Sequence, residues 1–92
     1  MNPQSRLRRS ADTAWRRVDD EVAIISMDAN RIRMLNAVGS FLWERCDGAT
    51  VGELVEAVCT RYDVDGETAA RDVADFVSDL EGRGLLSTEV PR

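Results

Sequence analysis

A strand that passes straight into a helix restricts a chain more than other local patterns do, because the strand's pleat and the helix's buried face must then serve one core. Residues 31–48, RIRMLNAVGSFLWERCDG, carry that pattern. Ile32 and Met34 alternate with Arg31 and Arg33 up to Leu35, so the two aliphatic side chains point one way and the two guanidinium groups the other. Asn36 suits a helix N-cap, since its side-chain oxygen can accept from an orphan backbone N–H one turn ahead. Val38, Phe41, Leu42 and Cys46 then follow the i, i+3, i+4 spacing of a buried helical face. Asp47-Gly48 ends the helix, glycine supplying the left-handed conformation a helix C-terminus commonly needs. The rest of the chain is expected to pack around this unit.

Upstream, residues 1–13 hold Pro3, Ser5, Ser10 and scattered arginines without sustained periodicity, which reads as a flexible basic tail. Residues 14–18 and 21–27 are short runs of β character on either side of Asp19-Asp20, a tight turn. The second run, EVAIISM, is largely apolar on both faces, as in a central strand with material packed on each side. Asp28-Ala29-Asn30 makes the next turn into the strand at 31–35. The expectation is an antiparallel three-stranded meander whose third strand is an edge.

Downstream, Thr50 and Glu53 form a capping box. It opens a helix with the apolar stripe Val51, Leu54, Val55, Val58, Cys59 and Tyr62. Residues 63–66 form a loop, and Asp65 caps a last helix that ends near Gly82 and Gly84. Leu85 and Leu86 close the core from outside. The fold class is therefore α+β and winged helix-turn-helix-like: an N-terminal three-stranded antiparallel sheet followed by three helices, with the domain spanning residues 14–88.

At about 100° per residue, the last helix has two adjoining faces. Ala69, Val73, Phe76, Val77 and Leu80 form an apolar face, and Asp72, Asp75 and Asp79 form an acidic stripe beside it. Phe76 lies on the border between them. Read from the residues alone, it is either one more core side chain or the lip of a groove.

Charge bears on what the chain can bind. The net charge is −5, but residues 1–17 hold five arginines against one aspartate, and the remainder holds seven arginines against sixteen acids. An acidic body with a basic leading arm fits the phosphate backbone poorly. A winged-helix DNA regulator is the alternative reading of such a fold, but its recognition helix would expose Arg, Lys, Asn or Gln. The helix from Thr50 to Tyr62 exposes Glu53, Glu56 and Arg61, and the last helix mainly aspartates. A nucleic-acid partner is not expected.

Catalysis fares no better. The chain has no His for acid–base work, no Gly-rich phosphate loop and no Ser or Cys in a nucleophile context. Without His or a CxxC pair, no protein-built zinc site is expected, nor any cofactor. Cys46 and Cys59 fall on apolar helix faces and read as free thiols in a reducing compartment. No apolar run approaches the roughly 20 residues that span a bilayer, and the arginine-bearing N-terminus lacks the apolar core of a secretory signal. A cytoplasmic, non-enzymatic protein without a membrane partner is expected. An edge strand offers one more function, since an extended peptide can complete its unpaired backbone groups by strand addition.

The run LNAVGSFLWERCDGATVGEL resembles the signature of PqqD-type proteins, also called RiPP recognition elements. It matches at Leu35, Asn36, Gly39, Leu42, Trp43, Asp47, Gly48, Thr50 and Val51. Asp72-Val73, Phe76-Val77 and Gly84-Leu85-Leu86 continue the resemblance, which covers about residues 14 to 88. It implies a protein that binds the leader segment of a ribosomally made precursor peptide and presents it to a modifying enzyme, a radical SAM protein in the pyrroloquinoline quinone pathway and various others elsewhere. It also implies that the leader lies as an added strand along Arg31, Ile32, Arg33, Met34 and Leu35, in a groove whose helical wall includes Asp72, Phe76 and Asp79. The arginines of the strand and the aspartates of the helix would then face each other as walls of opposite charge.

Overall fold

The computed structural model describes residues 2–27 and 30–90. In chain order the elements are β1 (Arg6–Arg9), β2 (Thr13–Val18), β3 (Glu21–Ser26), β4 (Arg31–Met34), α1 (Ala37–Cys46), α2 (Val51–Tyr62), α3 (Gly66–Gly82) and β5 (Leu86–Glu89). β2, β3 and β4 form a three-stranded antiparallel sheet in that order, and the three helices follow it. This is the expected α+β architecture, with β4 on an edge.

The local signals act where the residue types place them. Asp19, at a positive φ of 57°, makes the two-residue turn between β2 and β3. The Asn36 side chain accepts from Gly39 N–H at 2.8 Å and starts α1. A side chain at Gly39 would press on that same Asn36 oxygen, only 3.2 Å from where its Cβ would sit. Thr50 and Glu53 make the reciprocal capping box of α2, and Asp65 caps α3. The turn expected at Asp28-Ala29 lies outside the described residues; its last member, Asn30, is left-handed at φ 52°.

The core lies between one face of the sheet and the helices. Val22 and Ile24 of β3 meet Leu42, Trp43 and Cys46 of α1, Leu54 and Val58 of α2, and the apolar face of α3. Trp43 is completely buried, whereas Trp15 on β2 is 37% exposed. Cys46 and Cys59 are both free. Burial pushes the Cys46 thiol up to about 11, although the nearby Arg9 guanidinium works against it.

Two expectations need correction. Residues 6–9 are not tail: they form β1, antiparallel to β5 in a separate two-stranded sheet. Leu7 is fully buried there, and β1 is bonded on its other side too, through Leu7 N–H to Ala49 O and Gly48 N–H to Leu7 O, both 2.8 Å. A strand with one buried side chain, whose partner lies at the other end of the sequence, leaves no local period to read. Secondly, β3 is central in its sheet but is covered by helices on one face only. On the other face Ala23 and Ile25 sit between strand neighbours, with Ile32 and Met34 beside them 70% and 48% exposed.

Candidate functional site

β4 pairs with β3 through Ala23–Met34, Ile24–Arg33, Ile25–Ile32 and Ser26–Arg31. The ladder continues one step, with Leu35 N–H donating to Val22 O at 2.9 Å. In an antiparallel pair, bonded and non-bonded partners alternate. Leu35 therefore fixes the pattern: Arg31 and Arg33 spend their backbone groups on β3, while the N–H and C=O of Ile32 and Met34 point to the open edge. The side chains alternate the other way. Arg31, Arg33 and Leu35 share the helix-facing side with Ile24, and Ile32 and Met34 share the outer side.

Ser40, which sequence reasoning did not single out, holds this corner. It is buried, its hydroxyl accepts from Val22 N–H at 2.7 Å, and it donates to Leu35 O at 3.2 Å. The serine thereby ties α1 to the point where β4 ends. No hydropathy pattern marks a single serine inside an apolar helix face as a joint of this kind.

Beside the open edge runs a groove between β4 and α3. One section, of about 520 Å³, has Leu35, Val38, Leu42 and Phe76 as its apolar floor, and Asp72 and Asp75 on its helical side. A second section of about 400 Å³ lies at the start of β4, bounded by Arg31, Ile32, Arg83 and Leu85. Arg33 and Asp79 separate the two. Arg33 Nη2 donates to Asp79 Oδ2 at 2.7 Å, and Arg83 Nε donates to Asp79 Oδ1 at 3.0 Å. Partial burial raises the Asp79 carboxyl, but the hydrogen bonds from Arg83 and Arg33, with their charges, outweigh it and hold the group below its ordinary value.

The structure thus brings Arg33, Met34, Leu35, Asp72, Phe76 and Asp79 to one groove section, and Arg31 and Ile32 to the next. It alters two details. Phe76 is only 8% exposed, so it is core and groove floor together rather than a projecting lip. Nor do the charges face each other as two walls, because the one arginine that crosses the groove is already joined to its aspartate. Asp75, Val38 and Leu42 line the groove as well; Asp75 stood in the acidic stripe, but its place opposite the strand's end follows only from the angle at which α3 crosses the sheet.

Among the described residues, no three His, Cys, Asp or Glu side chains gather as metal ligands, and no helix is long and apolar enough to cross a membrane. What the site offers is a row of unused backbone donors and acceptors next to a partly apolar trough, the architecture of a strand-accepting domain.

The sequence profile of the family described as coenzyme PQQ synthesis protein D (PqqD) matches residues 1–86. The chain belongs to that family. Among solved structures, it is similar to that of TbiB1 in complex with the TbiA(beta) leader peptide. The TM-score is 0.83 at 32% identity, over 91% of this chain and 99% of that one. It is also similar in fold to lasso peptide synthetase B1 complexed with the leader peptide, with a TM-score of 0.77 at 21% identity over 91% of this chain and 98% of that one. Comparison with curated protein sequences returns no significant match. The profile match begins before β1, in keeping with that strand's place in the fold.

Proposed function

We propose that this chain is a RiPP recognition element: a non-catalytic protein that takes the leader segment of a ribosomally made precursor peptide as an added strand along β4 and presents the precursor to a modifying enzyme. The observation that carries this reading is the open edge of β4 lying inside the groove beside α3. Strand addition satisfies the outward N–H and C=O groups of Ile32 and Met34, and the apolar floor at Leu35, Val38, Leu42 and Phe76 receives an inward-pointing side chain. The leader-bound TbiB1 structure, alike over nearly its whole length, supports the same class of ligand.

The modifying enzyme is a radical SAM protein in this reading, by analogy with the pyrroloquinoline quinone pathway from which the family takes its name. The two free thiols accord with a reducing, cytoplasmic setting. A DNA-binding role is not favoured, since the exposed charges of α2 and α3 are mainly acidic, Glu53, Glu56, Glu67, Asp75 and Glu81 against Arg61 and Arg71.

Neighbouring reading frames supply the probe, as a short peptide gene beside that of a modifying enzyme. Titrating isotope-labelled protein with the leader of that precursor should move the amide signals of residues 31–35 and of the groove-facing turns of α3. Shifts that spare both regions and gather on α2 would overturn the proposal.

A further inference from the structure

The groove beside β4 changes sign along its length. Near Leu35 its helical side is Asp72 and Asp75, and neither joins an ion pair among the described residues. At the other end, Arg31 and Arg83 flank the trough; Arg31 has no carboxylate partner among the described residues, and Arg83 contacts Asp79. In the middle, Arg33 and Asp79 close on each other at 2.7 Å. The central charges are thereby matched, while the two ends keep an excess of opposite sign. Strand and helix run antiparallel past each other here, which is why the middle turns of α3 meet the end of β4 and its last turn meets the beginning.

From this separation we infer that the groove selects peptides carrying a basic side chain about four residues ahead of an acidic one, both pointing towards α3. The inference rests on the strand addition proposed above and adds the charge order of the added segment. Both pairings within this sheet are antiparallel, and antiparallel pairing is the more stable per residue. A peptide added antiparallel to β4 enters opposite Leu35 and leaves opposite Arg31. Side chains alternate, so the peptide residues opposite Leu35, Arg33 and Arg31 point inward, and those opposite Met34 and Ile32 point outward.

Each inward position has its own chemistry. The first lies over the floor formed by Leu35, Val38, Leu42 and Phe76, with Asp72 and Asp75 at its rim. An arginine or lysine suits it, laying its methylene stem on the floor and its charge at the carboxylates. The second faces the joined Arg33–Asp79 pair, which asks for no net charge. The third meets Arg31 and, across the trough, Arg83, and takes a carboxylate. From first to third is four residues, about 13 Å of strand. The two outward positions lie next to Met34 and Ile32 and favour aliphatic or β-branched residues, the cross-strand neighbours such side chains pack with.

A random dodecapeptide display library, selected against the full chain at low and at moderate salt, tests this without presuming any one ligand. Peptides with the basic residue four positions before the acidic one should outnumber the reverse order by about fivefold, the effect expected of two exposed ion pairs acting together. The excess should shrink as salt rises. The double variant, Arg31→Glu with Asp75→Lys, cancels the charge at each end against the remaining Arg83 and Asp72. It should lose the excess of either order while still enriching peptides that shift the amides of residues 31–35, which a loss of folding cannot imitate. Enriched peptides without a charge order, yet shifting the amides of residues 31–35, would overturn the charge code and leave strand addition standing. Enriched peptides that bind without touching residues 31–35, or no enrichment at all, would overturn both.

Discussion

Two strands of this chain read almost alike and behave as opposites. β1 is RLRR and β4 is RIRM, each four residues long, each opening on an aliphatic side chain between two arginines. In β1 the aliphatic side chain goes inside: Leu7 is fully buried, and both backbone edges are used, by β5 on one side and by residues 48–51 with Ser5 and Leu7 on the other. In β4 the aliphatic side chains go outside, with Ile32 70% exposed, while Arg33 turns inward to Asp79 and, among the described residues, one edge alone is used. Alternation defines two faces of a strand but does not say which is the inner one. That choice falls to the neighbours. β1 is inserted between β5 and the loop before α2, where only an apolar side chain fits. β4 lies where α3 presents a carboxylate, so an arginine can be drawn inward with its charge matched.

The arginines sharpen the contrast. Arg9 of β1 lies between two indoles, its guanidinium carbon 4.9 Å from the Trp15 ring centre and 5.2 Å from that of Trp43, and its Nε donates to Trp43 O at 3.1 Å. Its own backbone N–H donates to Asp47 at 3.0 Å. It fastens one element to another. Arg33 has one carboxylate partner and an edge strand's open side, and its inward direction makes the groove two sections rather than one. A closed strand and an open one have thus been made from one pattern.

The largest effect that tests this contrast is on stability. Leu7→Ala removes a fully buried side chain and should lower the unfolding free energy by about 2–5 kcal/mol. Ile32→Ala, at the same place in the same pattern, should stay within about 0.5 kcal/mol. Denaturant unfolding of the two variants reads the difference directly. Similar midpoints would mean that β1 is not the closed strand described above.

Those two positions also mark how far the sequence could be read. Signals completed within a few residues were legible: Asn36 capping α1, the Thr50–Glu53 box, Asp65 at the start of α3, and the Asp19-Asp20 turn each depend on a partner at most three positions away. The edge position of β4 was legible as well, because a meander of three strands leaves its last strand outside. What depends on distant partners was not. β1 pairs Arg6 with Glu89 and Leu7 with Thr88, across nearly the whole chain. Ser40 acts on Val22 and Leu35 through a tertiary contact. Among the site residues, the strand positions and the face of α3 were readable from alternation and the helical period, but the pairing of Arg33 with Asp79 depends on the angle between strand and helix, which neither period contains.

A middle-sized effect belongs to the open edge itself. In a peptide added antiparallel to β4, the amides that face the strand belong to the residues opposite Ile32 and Met34, whose side chains point outward. Methylating either of those peptide nitrogens removes a ladder donor and should weaken binding by about 1 kcal/mol, apart from any steric cost of the methyl group. Methylation of the residue between them, whose N–H points away from β4, should leave the ladder intact and weaken binding least. Calorimetry on three singly methylated peptides decides it. Equal losses at all three positions would show that the peptide is held by its side chains and not by the edge.

The smallest expected effect concerns the pair that divides the groove. Asp79 is held below the ordinary carboxylate range in the folded chain, chiefly by the hydrogen bonds from Arg83 and Arg33 working against its burial. A carboxylate whose folded value is depressed contributes stability that is present above its unfolded value and is lost as pH falls through the folded one. Asp79 and both arginines are partly exposed, at 39%, 41% and 48% of their side chains, so solvent screens the pairs and the contribution should stay below about 1 kcal/mol. Asp79→Asn should therefore be slightly less stable than the parent at pH 7, and the gap should narrow on acidification below the ordinary aspartate range. Binding supplies a second sign. With its carboxylate partner gone, Arg33 brings uncompensated positive charge to the middle of the groove, so the variant should accept an acidic side chain opposite Arg33 that the parent does not favour. A stability gap that stays constant with pH, together with an unchanged preference at that position, would show that the Arg33–Asp79 pair neither titrates with the fold nor sets the groove's central charge.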